Sequence, residues 1–199
     1  MSFRGIMGTA KQLRHRRTRK RILEAARALL RENGHAQLSL RAIAKRVDYS
    51  PASLYEYFRG KDSILDALCQ ETEKDLRETM IDAKQSNTMD HPIIAMCLSY
   101  IEFALNNADD FLLLFQRPVT VSHELLVLDV LREEIRNCMD IGEFLGGYHF
   151  EEDEIAHLLW STAHGMALLA LQRDQYSDPA LLFAHREGLM RILSGLRNG

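Results

Sequence analysis

The sequence has little of what would take a protein out of a reducing aqueous compartment. Its 199 residues include three cysteines, Cys69, Cys97 and Cys138, an odd number lying far apart in the chain. A disulfide framework or a closely spaced cysteine metal site is therefore not expected, and each thiol reads as a small core residue. No apolar run approaches the roughly 18 residues of a membrane span; the longest, Ile93 to Ile101, is stopped by Glu102. The basic N-terminus lacks the apolar stretch of a signal peptide. A cytoplasmic protein with no membrane partner, cofactor or metal is expected. Strand-like alternation and internal repeats are missing as well, and the four prolines, Pro51, Pro92, Pro118 and Pro179, fall where helices should start or stop. What remains is 46% apolar residues, enough to build a core for one large or two small domains.

Charge is unevenly spread. Residues 1–61 hold 15 Lys and Arg against four Asp and Glu, a formal +11, whereas the rest carries −14 and the whole chain −3. A basic N-terminal third on an acidic body is the footprint of phosphate binding. That third contains SLRAIAKRVDYSPASLYEYFRGK at 39–61. Leu40, Ile43, Ala44 and Val47 recur at i, i+3, i+4 and i+7, an amphipathic helix with Arg41, Lys45 and Arg46 off its apolar face. After the Asp48-Tyr49 break, Ser50 is an N-cap, and Pro51 suits the first helical position because its missing N–H would be unpaired there anyway. This second helix keeps Leu54 and Phe58 for the core as far as residue 58. It turns Pro51, Ala52, Ser53, Tyr55, Glu56 and Tyr57 partly or wholly outward, compact enough for a major groove. Double-stranded DNA is the partner implied.

Helical periodicity runs through the rest. A mobile basic arm at 1–15 should precede a first helix from about Thr18 to Asn33, with Ile22, Ala26 and Leu29/Leu30 inward and Asn33-Gly34 as its stop. A long fourth helix, about Asp62 to Ala83, carries Leu65, Leu68, Thr72, Leu76 and Met80 inward. Five more follow, from Pro92, Asp109, Ser122, Glu151 and Asp178-Pro179, the one from Ser122 reaching Phe144 and stopping at Gly146-Gly147. The expected fold is all-α: an arm at 1–15, a three-helix helix-turn-helix DNA-binding domain at 16–61, and a six-helix ligand-binding and dimerisation domain at 62–199.

Three groups of residues in the second domain invite a functional reading. Met96, Tyr100, Phe103, Phe111, Phe115, Met139 and Trp160 either line an apolar pocket or fill a core; His164 either anchors a ligand or is satisfied by a backbone carbonyl. Ile155, Leu159, Ala163 and Met166, with Leu182, His185, Leu189 and Ile192 on the last helix, form stripes broader than one packing partner can cover, which points to a homodimer. Asp153, His157 and Ser161 fall at i, i+4 and i+8, but a regular helix offers no oxyanion hole, and Asp153 with His157 lacks a third metal ligand. An enzyme is not expected. A DNA binder that responds to no ligand is the closer rival.

Through RKRILEAARALLRENG at 19–34, SLRAIAKRVDYSPASLYEYFRGKDSILDAL at 39–68 and the helical remainder, the chain resembles the tetracycline-repressor (TetR) family of one-component transcription regulators. Trp160, His164 and Gly165 look like the signature of its Trp-His-Gly subgroup. The resemblance implies a dimeric repressor released from a palindromic operator by a small, mainly apolar effector. By position it implies Arg41, Pro51, Ala52 and Ser53 nearest the base edges, and Ser39, Ser50, Tyr55, Tyr57 and Lys61 at phosphates, with Tyr55 alternatively a core residue. Pro51 and Ala52 depart from the basic or polar residue and the glycine that many relatives carry there.

Overall fold

The computed structural model describes residues 10–86, 89–116, 126–144, 150–172 and 179–198. Among these every regular element is an α-helix, and the chain divides into two compact units, Met1–Gln70 and Glu71–Gly199.

The first unit begins with α1, Ala10–Gln37, broken at Gly34, whose φ of 71° is the left-handed conformation that favours glycine. Helix therefore starts eight residues before the expected Thr18, and residues 10–15 of the expected arm are helical; residues 1–9 lie outside the described part. Ala10, Lys11, Gln12, Leu13 and Arg14 are good helix formers that need no buried face, so apolar periodicity could not reveal them. In α2, Leu40–Val47, Ser39 accepts from Ala42 N at 3.2 Å. The turn that follows is closed by Asp48 in the left-handed region (φ 60°), with Tyr49 N donating to Ala44 O at 2.9 Å, a Schellman geometry without its usual glycine.

Helix α3, Pro51–Leu54, opens as expected on a Ser50 cap (Ser53 N to Ser50 Oγ, 3.1 Å) but is shorter than expected. Beyond Leu54 the backbone tightens into three-residue hydrogen bonds, Glu56 N to Ser53 O at 3.3 Å and Tyr57 N to Leu54 O at 2.9 Å, so helical character continues only as a turn. Ile22, Ile43, Leu54 and Phe58 fill the space between these helices, joined by Ile64 and Leu68 from α4, Lys61–Ser86.

In the second unit α5, Pro92–Asn106, is the central element and packs on α6, Ala108–Gln116, α7, Leu126–Asp140, α8, Glu152–Gln172, and α9, Pro179–Asn198. It can do so because Ile93, Ile94, Met96, Cys97, Tyr100 and Ile101 cover its circumference and are all buried. Leu76 and Met80 of α4 join this core. Helix α7 ends at Asp140, earlier than the expected Phe144: Gly142 (φ 81°) takes the left-handed position, with Gly142 N to Met139 O and Glu143 N to Cys138 O both at 2.9 Å. The glycine pair expected to stop it lies outside the described residues.

Helices α8 and α9 approach closely, a Cβ at Gly188 standing 3.3 Å from Met166 Cε. Of the residues expected at a dimer surface, Ile155, Leu159, Ala163, His185 and Leu189 are buried within the chain, whereas Met166, Leu182 and Ile192 stay partly exposed.

Candidate nucleic-acid interface and effector site

In the first unit the expected DNA-contacting residues fall into three kinds. Arg41, Pro51, Ala52 and Tyr55 are exposed, and Tyr55, at 60% of its full accessibility, is not a core residue. Ser39 and Ser50 serve as helix caps, and Ser50 Oγ also lies 2.8 Å from Ser53 Oγ, tying a base-reading candidate to the helix start. Tyr57 is half-buried, its ring 4.7 Å from His15 and edge-on to Tyr49 at 6.4 Å. Lys61 is the first residue of α4, whose start is fixed by Ser63: Gly60 N donates to Ser63 Oγ at 3.1 Å, and Ser63 Oγ donates back to Gly60 O at 2.8 Å. A cation there sits at a helix N-terminus, where an anion is favoured.

The basic run in α1 divides between bracing and field. Arg19 Nη1 donates to Tyr57 O at 3.2 Å while its guanidinium lies 4.1 Å above Phe58, and Arg21 Nη2 donates to Val47 O at 3.3 Å, serving a carbonyl at the end of α2. These arginines, with His15 and Tyr49, hold the recognition segment in place; sequence reasoning counted them only as charge. Arg46 is likewise spent, in a bidentate pair with Glu32 at 2.5 and 2.7 Å, and its hydrogen bonds hold the Glu32 carboxyl below the ordinary carboxylate range. Lys11, Arg14, Arg16 and Arg17 are exposed and carry the positive field, while the exposed Lys20 pairs with Glu24 at 3.8 Å.

In the second unit five of the eight effector candidates converge. Tyr100 from α5, Phe111 and Phe115 from α6, and Trp160 and His164 from α8 form one aromatic cluster: His164 lies 4.5 Å from Phe115, 5.7 Å from Phe111 and 5.3 Å from Trp160, to which it is stacked. Met96, Phe103 and Met139 belong to the wider core around it. His164 Nδ1 lies 2.7 Å from the Tyr100 hydroxyl, so its partner is a side chain rather than a backbone carbonyl. Burial pushes the Tyr100 hydroxyl well above its ordinary range and the His164 imidazole below its own, which keeps both neutral. The Trp160 indole counteracts part of the Tyr100 shift, yet its Nε1 forms no hydrogen bond of acceptable geometry and is left buried without a partner. The cluster thus combines packed aromatic rings with one unused donor.

The alternative grouping on α8 does not assemble. Asp153 Oδ1 accepts from Arg132 Nε at 2.6 Å, which directs the carboxylate to α7, and His157 and Ser161 are both exposed.

A basic three-helix unit with a short, serine-capped second helix of the motif is a helix-turn-helix module, here on a chain with a separate helical unit. Residues 22–68 match the description "Bacterial regulatory proteins, tetR family" and residues 93–186 match "Tetracyclin repressor-like, C-terminal domain". The chain belongs to the tetR family of bacterial regulatory proteins, a family of transcription regulators rather than enzymes. Over 106 residues it is 30% identical to an HTH-type transcriptional regulator of Mycobacterium tuberculosis, covering 52% of this chain and 45% of that protein. The chain spans about half the length of the curated relatives it matches. In fold it is similar to a protein of unknown function from Rhodococcus sp. RHA1, with a TM-score of 0.75, 22% identity, and coverage of 90% of this chain and 95% of that one. It is also similar to a TetR family transcription regulator from Marinobacter aquaeolei VT8, with a TM-score of 0.69, 15% identity, and coverage of 94% and 100%.

Proposed function

We propose that the chain is a ligand-responsive repressor that binds a palindromic operator as a homodimer in the cytoplasm. The observation that carries the DNA-binding part is the outward face of α3. Pro51, Ala52 and Tyr55 are exposed beside the equally exposed Arg41, on a unit whose charge is strongly positive. Small side chains permit close groove approach and contact with thymine methyls, and Arg41 can donate in a fork to guanine O6 and N7. Ser39, Ser50, Ser53, Tyr57 and Lys61 are assigned to phosphates and the groove edge, with Ser39 and Ser50 acting chiefly through the backbone N–H groups they order. Dimerisation is assigned to the apolar area that α8 and α9 leave exposed, Leu158, Leu169, Phe183 and Met190, together with Met166, Leu182 and Ile192. The effector is assigned to the cluster of Tyr100, Phe111, Phe115, Trp160 and His164. The narrower likeness to the Trp-His-Gly subgroup rests on Trp160, His164 and Gly165.

Coupling requires the effector to prefer one spacing of the two recognition helices, which must match major-groove faces roughly 34–36 Å or a multiple apart. The test is selection of genomic fragments by the purified protein, followed by anisotropy titrations on the site recovered. Arg41→Ala should lose about 1–3 kcal/mol for one favoured base in each half-site. Lys61→Ala should weaken all sequences alike and lower the salt slope by about one. Recovery of no preferred sequence would remove the operator, and an affinity indifferent to every apolar compound tried would favour a DNA binder without an effector.

A further inference from the structure

Away from the aromatic cluster, the second unit gathers another set of polar groups. The Schellman turn at Gly142 folds Glu143 back over the last turn of α7, Glu143 N donating to Cys138 O at 2.9 Å. His91, the N-cap of α5, reaches the same point from elsewhere in the chain, its Nε2 lying 2.8 Å from Glu143 Oε2. One ligating atom each from His91, Cys138 and Glu143 lies within 4.8 Å of the others. Beside them opens a cavity of about 530 Å³ lined by His91, Glu143, Ser194 and Arg197 over a floor of Met190 and Leu193. The His91 hydrogen bond holds the Glu143 carboxyl below its ordinary range, so it is ionised, while burial and the nearby carboxylates push the Cys138 thiol up to about 12.

We propose that His91, Cys138 and Glu143 bind a divalent transition-metal ion of the zinc class, with a fourth coordination position facing the cavity. The donor set decides the class. A sulfur with an imidazole nitrogen suits zinc, cobalt or nickel, whereas magnesium and calcium take oxygen alone. In a tetrahedral site with bonds of about 2.0–2.3 Å the donors stand roughly 3.3–3.8 Å apart. The three donor atoms lie within 4.8 Å of one another, so closing the set needs movements of up to about 1 Å.

The proton count has a structural consequence. His91 Nδ1 accepts from Ile93 N at 3.2 Å, which leaves the ring proton on Nε2, facing Glu143. A metal taking the Nε2 lone pair sends that proton to Nδ1 and releases the cap, while the Cys138 thiol loses its proton to solvent as the sulfur–metal bond forms. Metal binding thus exchanges the first capping bond of α5, the central helix of the unit, for a metal bond. Thiolate and carboxylate balance the charge of the ion, and Arg197, 3.9 Å from Glu143 Oε1, favours an anion such as hydroxide or chloride at the fourth position.

Untagged full-length protein titrated with cobalt(II) should bind one equivalent, develop a thiolate-to-cobalt charge-transfer band, and lose that band when zinc is added. Cys138→Ser should abolish the band. Glu143→Gln, and His91→Asn, which keeps a side-chain acceptor for the cap, should each weaken binding at least about tenfold, since even groups outside the coordination sphere change affinity 10–100-fold. Cys69→Ser should bind as the parent does. Circular dichroism confirms that each variant is folded. No band at one equivalent, or a band that survives in folded Cys138→Ser or is lost in folded Cys69→Ser, would overturn the site.

Discussion

The two units keep their chemistry in opposite places. Among the described residues of the first unit the core is mainly aliphatic with one phenylalanine, Phe58, and most of the groups assigned to DNA stand on the outward faces of short helices. In residues 71–199 the polar groups assigned to sensing are drawn inward among aromatic rings, with Tyr100 and Phe111 almost fully buried. A surface reader is held by a few capping bonds and by braces such as Arg19 and Arg21, all within one small unit. An interior cluster must be assembled by the whole unit, so function and stability share residues there. Mutations should therefore separate binding from folding in the first unit and fail to do so in the second.

Phe111→Ala should have the largest effect, about 3–5 kcal/mol of stability, because the ring is inaccessible and its removal leaves a cavity. Amide exchange would show the loss confined to residues 71–199; equal loss of protection in α1 to α3 would break the comparison. Tyr100→Phe comes next. It keeps the ring but leaves His164 Nδ1 unpaired, at about 1–3 kcal/mol by denaturant unfolding, whereas Tyr55→Phe on the exposed face should stay within about 0.5 kcal/mol.

Asp48→Gly should raise the melting temperature, adding about 0.5–1 kcal/mol, since glycine adopts the left-handed turn without the cost an aspartate bears. Site-specific DNA affinity should change little. The most gradual effect is on pH. Burial depresses His164 and His185 below the ordinary 6.5, so the unfolded chain takes up protons before the folded one. Their contribution is complete above about pH 6.5 and is lost as pH falls from there through the folded values. Denaturant unfolding between about pH 7.5 and pH 5 should show this slope, and His164→Gln should flatten part of it.

The first unit was largely legible because its determinants are local. Ser50 and Pro51 announce the start of α3, and the i, i+3, i+4, i+7 spacing of Leu40, Ile43, Ala44 and Val47 announces α2. The early start of α1 was not, because a basic helix without a buried face leaves no apolar period. Nor was the bracing by Arg19 and Arg21, since a guanidinium stacked on Phe58 reads in sequence like any other cation. In the second unit the presence of helices was legible and their assembly was not. Tyr100 and His164 are 64 positions apart, and His91 and Glu143 are 52 apart. The exposed face of α8 has the same origin: periodicity identifies an apolar face, but whether Leu159 or Leu158 is left exposed depends on how α8 turns against α5.

The chain has a single tryptophan, Trp160, whose ring lies stacked on His164 at an interplanar angle of 22° with its N–H buried and unpaired. Indole emission, excited to the red of tyrosine absorption, therefore comes from one chromophore inside the aromatic cluster, and residues 1–70 contribute none of it. An indole in a dry apolar setting emits toward the blue. A ligand that brings an acceptor to Nε1 would shift that emission, and a proton on the stacked imidazole would quench it. The proposed effector site thus carries its own unlabelled spectroscopic reporter.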